Sequence, residues 1–170
     1  MKRYLLIKTR LMKIKIRQAT RGDMKEVRDL IVELAVFEKE PNAVEVTTED
    51  LQISGFGSNP MFTCFVAEID NRIVGMALVY FRFSTWKGKV VHLEDMVVKE
   101  SMRGQGVGEA LYAEVIKYGY SQGVKRIQWD VLSWNEGAIR FYERSGAKVL
   151  RDWNVVHMDE KGIKNYIDNL

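Results

Sequence analysis

The apolar residues of this chain recur with two periods, and each period predicts a different kind of element. Spacings of three and four residues, as in Val27, Leu30 and Leu34, are typical of a helix with one buried face. The stretch Thr20–Asp23 resembles a helix N-terminus, with an acid at the third position after the threonine. The predicted helices begin after Thr20–Asp23 (ending near 37–41) and at Thr47, and cover 104–120, 135–145 and 163–170.

Alternating or continuous apolar runs rich in β-branched residues predict the strands. Asp70-Asn71 is a hairpin signal between two of these runs, and 84–88 is a second turn. The resulting order, β-α-α-β-β-β-α-β-α-β-β, predicts one α+β domain over 13–170, with helices on both faces of a mixed, mostly antiparallel sheet. The predicted strands cover 13–18, 62–69, 73–83, 89–98 and 126–132, with one or two more within 149–158.

The charge of the chain is unevenly distributed. Residues 1–17 hold seven of the 26 Lys and Arg residues and no acid, so the remainder has 19 basic against 23 acidic side chains. An acidic body favours a cationic partner and argues against nucleic acid. No apolar run approaches the roughly 20 residues that cross a bilayer, so no membrane partner is expected. We interpret 1–12 as an N-terminal extension, with Met12 as the hypothetical natural start.

Cysteine and histidine are scarce. Cys64 is the one cysteine of the sequence, which excludes an intrachain disulfide and favours a reducing, cytoplasmic location. Its apolar neighbours predict a buried thiol. His92 and His157 lie far apart and provide no metal-ligand spacing, so no metal is expected.

A glycine-rich segment provides the strongest chemical signal. Arg103-Gly-Gln-Gly-Val-Gly108 follows a predicted strand and opens a predicted helix. Glycines let a backbone approach a ligand closely, and free amides at a helix N-terminus attract phosphate. The spacing is neither that of a dinucleotide fold nor that of a nucleoside-triphosphate loop. The pattern therefore indicates a pyrophosphate cradle of another kind, or a glycine-rich turn without a ligand.

Two motifs in the same order resemble the GNAT acetyltransferases. The segment 103–108 resembles their acetyl-CoA motif, Q/R-x-x-G-x-G/A, and 135–146 resembles their N-x-x-A-x-x-F-Y-x-x-x-G stretch. Further likenesses at 33–38, 55–57, 81–88 and 93–95 are to the diamine (spermidine/spermine) and thialysine acetyltransferase group. The resemblance implies a GNAT fold, acetyl-CoA as co-substrate, direct attack by an amine in a ternary complex, and a homodimer. The implied cofactor-binding residues are Met96, Val97, Val98, Arg103, Gly104, Gln105, Gly106, Val107, Gly108, Asn135 and Tyr142.

Acetyl transfer to an amine requires a proton acceptor, a donor to the thioester oxygen and an acid near the leaving sulfur. Glu94 and Asp95 interrupt an apolar strand, and neighbours on a regular strand face opposite sides unless a bulge intervenes. We assign Glu94 as the base and Asp95 as an amine or structural anchor; a strand-end charge pair is the alternative. The resemblance places Tyr142 against the sulfur as proton donor, the alternative being a core tyrosine. Asn135 either contacts the cofactor or caps its helix.

The substrate is expected to be the primary amine of a small cation. Glu38 matches an acidic position that contacts the polyamine in the diamine group, but the stretch that follows it is less acidic, which leaves room for a lysine analogue. Trp86 and Trp153 either line the amine slot or serve packing. Two alternatives stay open: a GNAT enzyme acting on a protein, peptide or antibiotic amine, and a catalytically silent acetyl-CoA sensor.

Overall fold

The computed structural model describes residues 13–170. The proposed N-terminal extension, 1–12, lies outside the described residues. The described chain divides into two compact units, one ending at Asp130 and one covering Val131–Leu170. The first unit holds all five strands: β1 (Lys15–Gln18), β2 (Thr63–Ile69), β3 (Arg72–Ser84), β4 (Gly88–Val98) and β5 (Ile127–Gln128). Its helices are α1 (Met24–Phe37), α2 (Thr48–Phe56) and α3 (Val107–Ser121). The second unit contains α4 (Glu136–Arg144) and α5 (Glu160–Asp168).

The strands form one sheet in the order β1-β2-β3-β4-β5. The first three pairings are antiparallel, and β4 pairs with β5 in parallel. Asp70 and Asn71 adopt left-handed φ values of 47° and 60°, as the tight turn between β2 and β3 requires. The predicted mixed, mostly antiparallel sheet is therefore confirmed.

Apolar side chains on the two faces of the sheet form two separate core clusters. One cluster joins Met24, Val27 and Leu30 of α1 to the sheet, and the other joins Leu111 and Val115 of α3 to the opposite face. The interiors of both clusters are nearly free of solvent exposure. We call these two sides of the sheet the α1 face and the α3 face. Because helices cover both sides, the predicted layered α+β architecture is confirmed.

Helix starts follow the polar signals in the sequence. At Thr47 the side chain and the Asp50 carboxylate each accept a backbone N–H from the other residue, which is a complete capping box. The same reciprocal pattern at Thr20 and Asp23 begins a short 3-10 turn that leads into α1. Arg17 of β1 also binds Asp23 at 2.7 Å, which fastens this turn to the sheet.

Two sequence predictions in the last third of the chain are wrong. The strand expected over 126–132 is confined to Ile127–Gln128, and no strand is found within 149–158 of the described chain. Val155 and Val156 are 62% and 87% exposed, so the apolar run that suggested a strand is not buried in this chain. A strand needs a neighbour that accepts its backbone hydrogen bonds, and periodicity alone does not reveal whether one is present.

Candidate active site

The two adjacent carboxylates of β4 lie at a β-bulge. Leu93 and Asp95 pair with consecutive residues of β3, so Glu94 is an extra residue in the register. The core clusters show the consequence, since Leu93 packs on the α3 face and Val97, four residues later, packs on the α1 face. Residues four apart on a regular strand share a face, so the extra residue has reversed the alternation. Glu94 and Asp95 therefore both lie on the α1 face.

This face is acidic and partly shielded from water. Burial, followed by the charges of Glu94 and Glu38, raises the pKa of the Asp95 carboxyl to about 6. Glu38 follows the last residue of α1, and burial raises its pKa as well. Neighbouring carboxylates raise one another's pKa by charge repulsion, and a bound cation reduces this repulsion. The arrangement therefore suits a substrate that carries positive charge.

Tyr80 and His92 extend the acidic face along the strands. They are partners in the β3–β4 ladder, and their rings lie 5.0 Å apart. His92 Nε2 is 3.5 Å from Glu94 Oε2, and the His92 side chain is 8% exposed against 51% for Glu94. Burial, followed by the charge of Glu94, raises the pKa of the Tyr80 hydroxyl. The sequence prediction missed both residues, although the i, i+2 spacing of His92 and Glu94 would have placed them on one face.

Beyond the bulge, β4 has a backbone edge without a strand beside it. In the described chain, β5 pairs with β4 only opposite Val91 and His92. The Lys99 amide donates to a β3 carbonyl at 2.9 Å, and amides along an antiparallel strand point alternately to the two sides. By this alternation the Met96 and Val98 amides point away from β3, toward the open edge. Val97 lies between them, and its amide points toward β3.

The glycine loop joins this edge to α3. Gly104 and Gly106 have φ values of 72° and 81°, a region that L side chains rarely adopt, and nothing lies within 4 Å of the position of an added Cβ. Gly106 is the N-cap of α3, and the first helical hydrogen bond runs from Ala110 to Gly106. The amides of Val107 and Gly108 precede that bond and have no acceptor within the helix. The loop therefore presents open space and backbone donors together.

Side chains of the loop residues hold it in place. Arg103 Nε donates to the Val98 carbonyl at 3.2 Å, and its guanidinium lies 5.1 Å from the centre of the Phe37 ring. Gln105 Nε2 donates to the Ser101 carbonyl at 3.1 Å. The positive guanidinium, the dipole of a 15-residue helix and the two left-handed glycines fit the pyrophosphate of acetyl-CoA.

Three of the predicted residues belong to the second unit. Asn135 Oδ1 accepts the Ala138 amide at 3.2 Å, so this residue caps α4. Tyr142 is 9% exposed, and its ring lies 5.4 Å from that of Phe141 in an edge arrangement. Trp153 lies between α4 and α5 and is 72% exposed. Of these two aromatic side chains, Tyr142 is therefore buried and Trp153 is exposed to solvent.

Trp86 is not brought to the carboxylates within one chain. It lies on the turn before β4 and is 79% exposed. The bulge lies six residues beyond Gly88, the first residue of β4, which corresponds to about 20 Å of extended strand. A shallow groove of about 90 Å³ near the same end of β3 is lined in part by Phe81 and Tyr118. That volume is well below the roughly 300 Å³ at which small-molecule sites begin.

Within 13–170 no three His, Cys, Asp or Glu side chains are grouped as a metal site would require. In the same range no helix combines the length and the apolar character needed to cross a bilayer.

Comparison with known proteins identifies the family. Residues 24–147 match the acetyltransferase (GNAT) family. The chain belongs to the GNAT acetyltransferase family. This membership makes it an acetyl-CoA-dependent N-acetyltransferase, and it agrees with the glycine loop and the open β4 edge described above.

Individual relatives within the GNAT family are similar over most of the chain. The thialysine N-epsilon-acetyltransferase of Bos taurus is 37% identical over 147 residues, covering 82% of this chain and 86% of the relative. A spermidine/spermine N(1)-acetyltransferase-like protein of Homo sapiens is 35% identical over 139 residues, covering 78% of this chain and 20% of the relative. A V. cholerae integron cassette protein shares the fold, with a TM-score of 0.75 at 20% identity and coverage of 92% and 98%.

Proposed function

We propose that this enzyme transfers the acetyl group of acetyl-CoA to the primary amine of a small cation, in a ternary complex and without a covalent enzyme intermediate. The observation that carries this proposal is the bulge in β4, which gathers Glu94 and Asp95 on the acidic α1 face beside an open backbone edge. Thialysine and spermidine/spermine appear in the names of similar enzymes, which supports an amine with a second charged group as substrate.

The amine must first lose a proton. An alkyl ammonium with a pKa near 10 is almost fully protonated at neutral pH, and deprotonation there costs roughly 4 kcal/mol. The half-exposed carboxylate of Glu94 is accessible to water, so it accepts this proton directly or through one water molecule. The freed lone pair then attacks the acetyl carbon, and as the C–S bond breaks the nitrogen releases its second proton to solvent, which leaves a neutral amide.

Asp95 and Glu38 anchor the cation. With a pKa near 6, Asp95 is mostly ionised at pH 7 to 8, and its partial burial strengthens attraction to a positive charge. Glu38 provides a second carboxylate at the end of α1 for the far end of a diamine or a lysine analogue. Trp86 and Trp153 remain proposed contributors to the amine slot, with Trp86 acting from the second subunit of a dimer.

Backbone donors hold the co-substrate. The amides of Gln105, Gly106, Val107 and Gly108, with the Arg103 side chain, would bind its pyrophosphate. Acetyl-CoA provides the thioester, an acetyl group on a good leaving thiolate. The amides of Met96 and Val98 donate to the carbonyl oxygen as negative charge develops there. Val97 serves this edge by holding the strand against β3.

Tyr142 completes the chemistry as proton donor to the departing thiolate. The proposal rests on the N-x-x-A-x-x-F-Y motif, and a phenol O–H can donate a proton to a thiolate. Asn135 supports it indirectly, since its cap determines where α4 begins.

We infer a homodimer in the cytoplasm. The second unit exposes many apolar side chains, a pattern expected of a surface that a partner covers. They include Leu150, Trp153, Val155, Val156, Ile163, Tyr166 and Ile167. Light scattering on the purified protein should give twice the chain mass of 19.7 kDa.

The test of the substrate class is CoA release across putrescine, spermidine, spermine, thialysine, lysine and a basic peptide. We expect turnover on one or more of the small cations, with a KM in the micromolar to millimolar range. Turnover on the peptide alone would indicate a protein substrate. Binding of acetyl-CoA without turnover on any amine would indicate a sensor.

A further inference from the structure

His92 is a buried polar residue beside the proposed base that the mechanism above does not use. It is 7% exposed overall, and its Nδ1 has no hydrogen-bonding partner among residues 13–170. A buried polar atom without a partner costs about 1–3 kcal/mol, and an apolar residue at this position would avoid that cost. An imidazole at this position is therefore expected to have a functional role that offsets this cost.

The geometry identifies which nitrogen carries the proton. With the proton on Nδ1, a buried N–H would lack an acceptor, and the Nε2 lone pair would face the Glu94 carboxylate at 3.5 Å. With the proton on Nε2, a carboxylate oxygen lies 3.5 Å from the protonated nitrogen, and the unpaired Nδ1 offers only an acceptor lone pair. The second tautomer is favoured, because it gives the N–H donor an acceptor and leaves only a lone pair without a partner.

The ring is also held in a fixed position. Tyr80 is the cross-strand partner of His92 and packs its ring at 5.0 Å with a tilt of 42°, while Gln128 of β5 pairs on the other side. The charged groups that act on Tyr80 are Glu94 on β4, Arg82 on β3 and Asp130 beyond β5, and Glu94 also acts on Asp95. His92 thus belongs to the last rung at which β4 is paired on both sides, two residues before Glu94.

We propose that His92 is a positioning residue for Glu94: its Nε2–H donates to the Glu94 carboxylate and holds this bulged, half-exposed side chain in the orientation that accepts the substrate proton. Catalytic hydrogen bonds are often long in free enzymes and shorten when substrate binds, which accounts for the 3.5 Å separation. The proposal rests on the proposed function for its kinetic consequence, but the tautomer and its acceptor can be tested without turnover.

The kinetic test compares His92→Phe, which keeps a ring against Tyr80 but lacks the donor, with His92→Gln, whose amide nitrogen can occupy the place of Nε2. We expect His92→Phe to lower kcat about tenfold or more, the usual effect of losing a hydrogen bond to a charged group, with KM for acetyl-CoA unchanged. The acid limb of its kcat/KM profile should move to higher pH, because the donor no longer favours the charged carboxylate. His92→Gln should recover most of the loss. His157→Phe, at an exposed position, is the matched control and should behave as wild type.

Long-range ¹H–¹⁵N spectra of the full-length protein provide the second readout. The proposal expects the His92 proton on Nε2, and expects Glu94→Ala to change the Nε2 shift more than the Nδ1 shift. A proton on Nδ1, or a His92→Phe enzyme with wild-type kcat and pH profile, would overturn the inference while leaving the acetyltransferase function intact. Failure of every amine, with the Nε2 tautomer and its response to Glu94 present, would instead overturn the proposed function alone.

Discussion

Replacing Asp95 by asparagine should stabilise the fold while impairing catalysis. The pKa of this carboxyl rises from 3.8 to about 6 on folding, chiefly because burial disfavours its charge. At about 1.4 kcal/mol per pKa unit, ionised Asp95 costs the native state about 3 kcal/mol. Well below pH 4 both folded and unfolded chains carry the neutral acid, so the penalty is absent there. It grows as the pH rises from about 4 to about 6, because the native state then holds a proton that the unfolded chain has lost.

Urea denaturation at pH 4, 5, 6 and 7.5 measures this penalty directly. We expect the free energy of unfolding of Asp95→Asn to exceed that of wild type least at pH 4 and by up to about 3 kcal/mol at pH 7.5. The comparison with wild type cancels other carboxylates, such as Asp23, whose pKa is held well below its usual range by Arg17. Asp29→Asn, on the exposed side of α1, is the control and should change stability by a few tenths of a kcal/mol at every pH. A constant difference across the range, or a loss of stability at pH 7.5, would refute the reasoning.

Three further predictions concern the cofactor loop, the proposed acid and the thiol. Gly106→Ala forces an L residue into a φ of 81°, so it should lower the free energy of unfolding by about 1–2 kcal/mol and raise KM for acetyl-CoA. Its control is Gly123→Ala, at a φ of 64°, which should lower the free energy of unfolding by a similar amount and leave KM unchanged. Tyr142→Phe should lower kcat by about 10- to 100-fold, with KM for acetyl-CoA nearly constant. Its control is Tyr120→Phe, at a side chain that is 87% exposed, which should leave kcat unchanged. Equal kcat values in the two variants would show that Tyr142 is not the proton donor. Cys64 is 2% exposed and burial raises its pKa to about 12, so Ellman's reagent should label the native protein only on unfolding, and rapid labelling would contradict this burial.

Local signals in the sequence predicted most of the sheet and the glycine loop. The hairpin at Asp70-Asn71, the capping box at Thr47 and the left-handed Gly106 each depend on contacts within a few residues, and such contacts can be read from the sequence. The buried thiol of Cys64 was equally predictable from its apolar neighbours, and its burial is confirmed.

The sequence did not determine the register between β3 and β4 or the cross-strand neighbours of each residue. The bulge at Glu94 depends on how β3 pairs with β4, so the sequence could state only that a bulge was needed to bring two adjacent carboxylates to one face. Tyr80 was missed for the same reason, since its contact with His92 crosses strands. The strands expected within 149–158 are absent from the described chain, because an apolar run does not reveal whether a neighbouring strand is present to pair with it.

Charge selectivity tests the central claim, that the acidic α1 face receives a cationic amine. Values of kcat/KM should be measured at saturating acetyl-CoA for a diamine and for the monoamine of equal length, with wild type and with Glu38→Gln, which leaves the proposed base in place. The account predicts that wild type prefers the diamine by about tenfold or more, the scale of one charge-assisted contact, and that Glu38→Gln loses most of this preference. Equal rates on both amines with wild type, or a preference that survives Glu38→Gln unchanged, would contradict it.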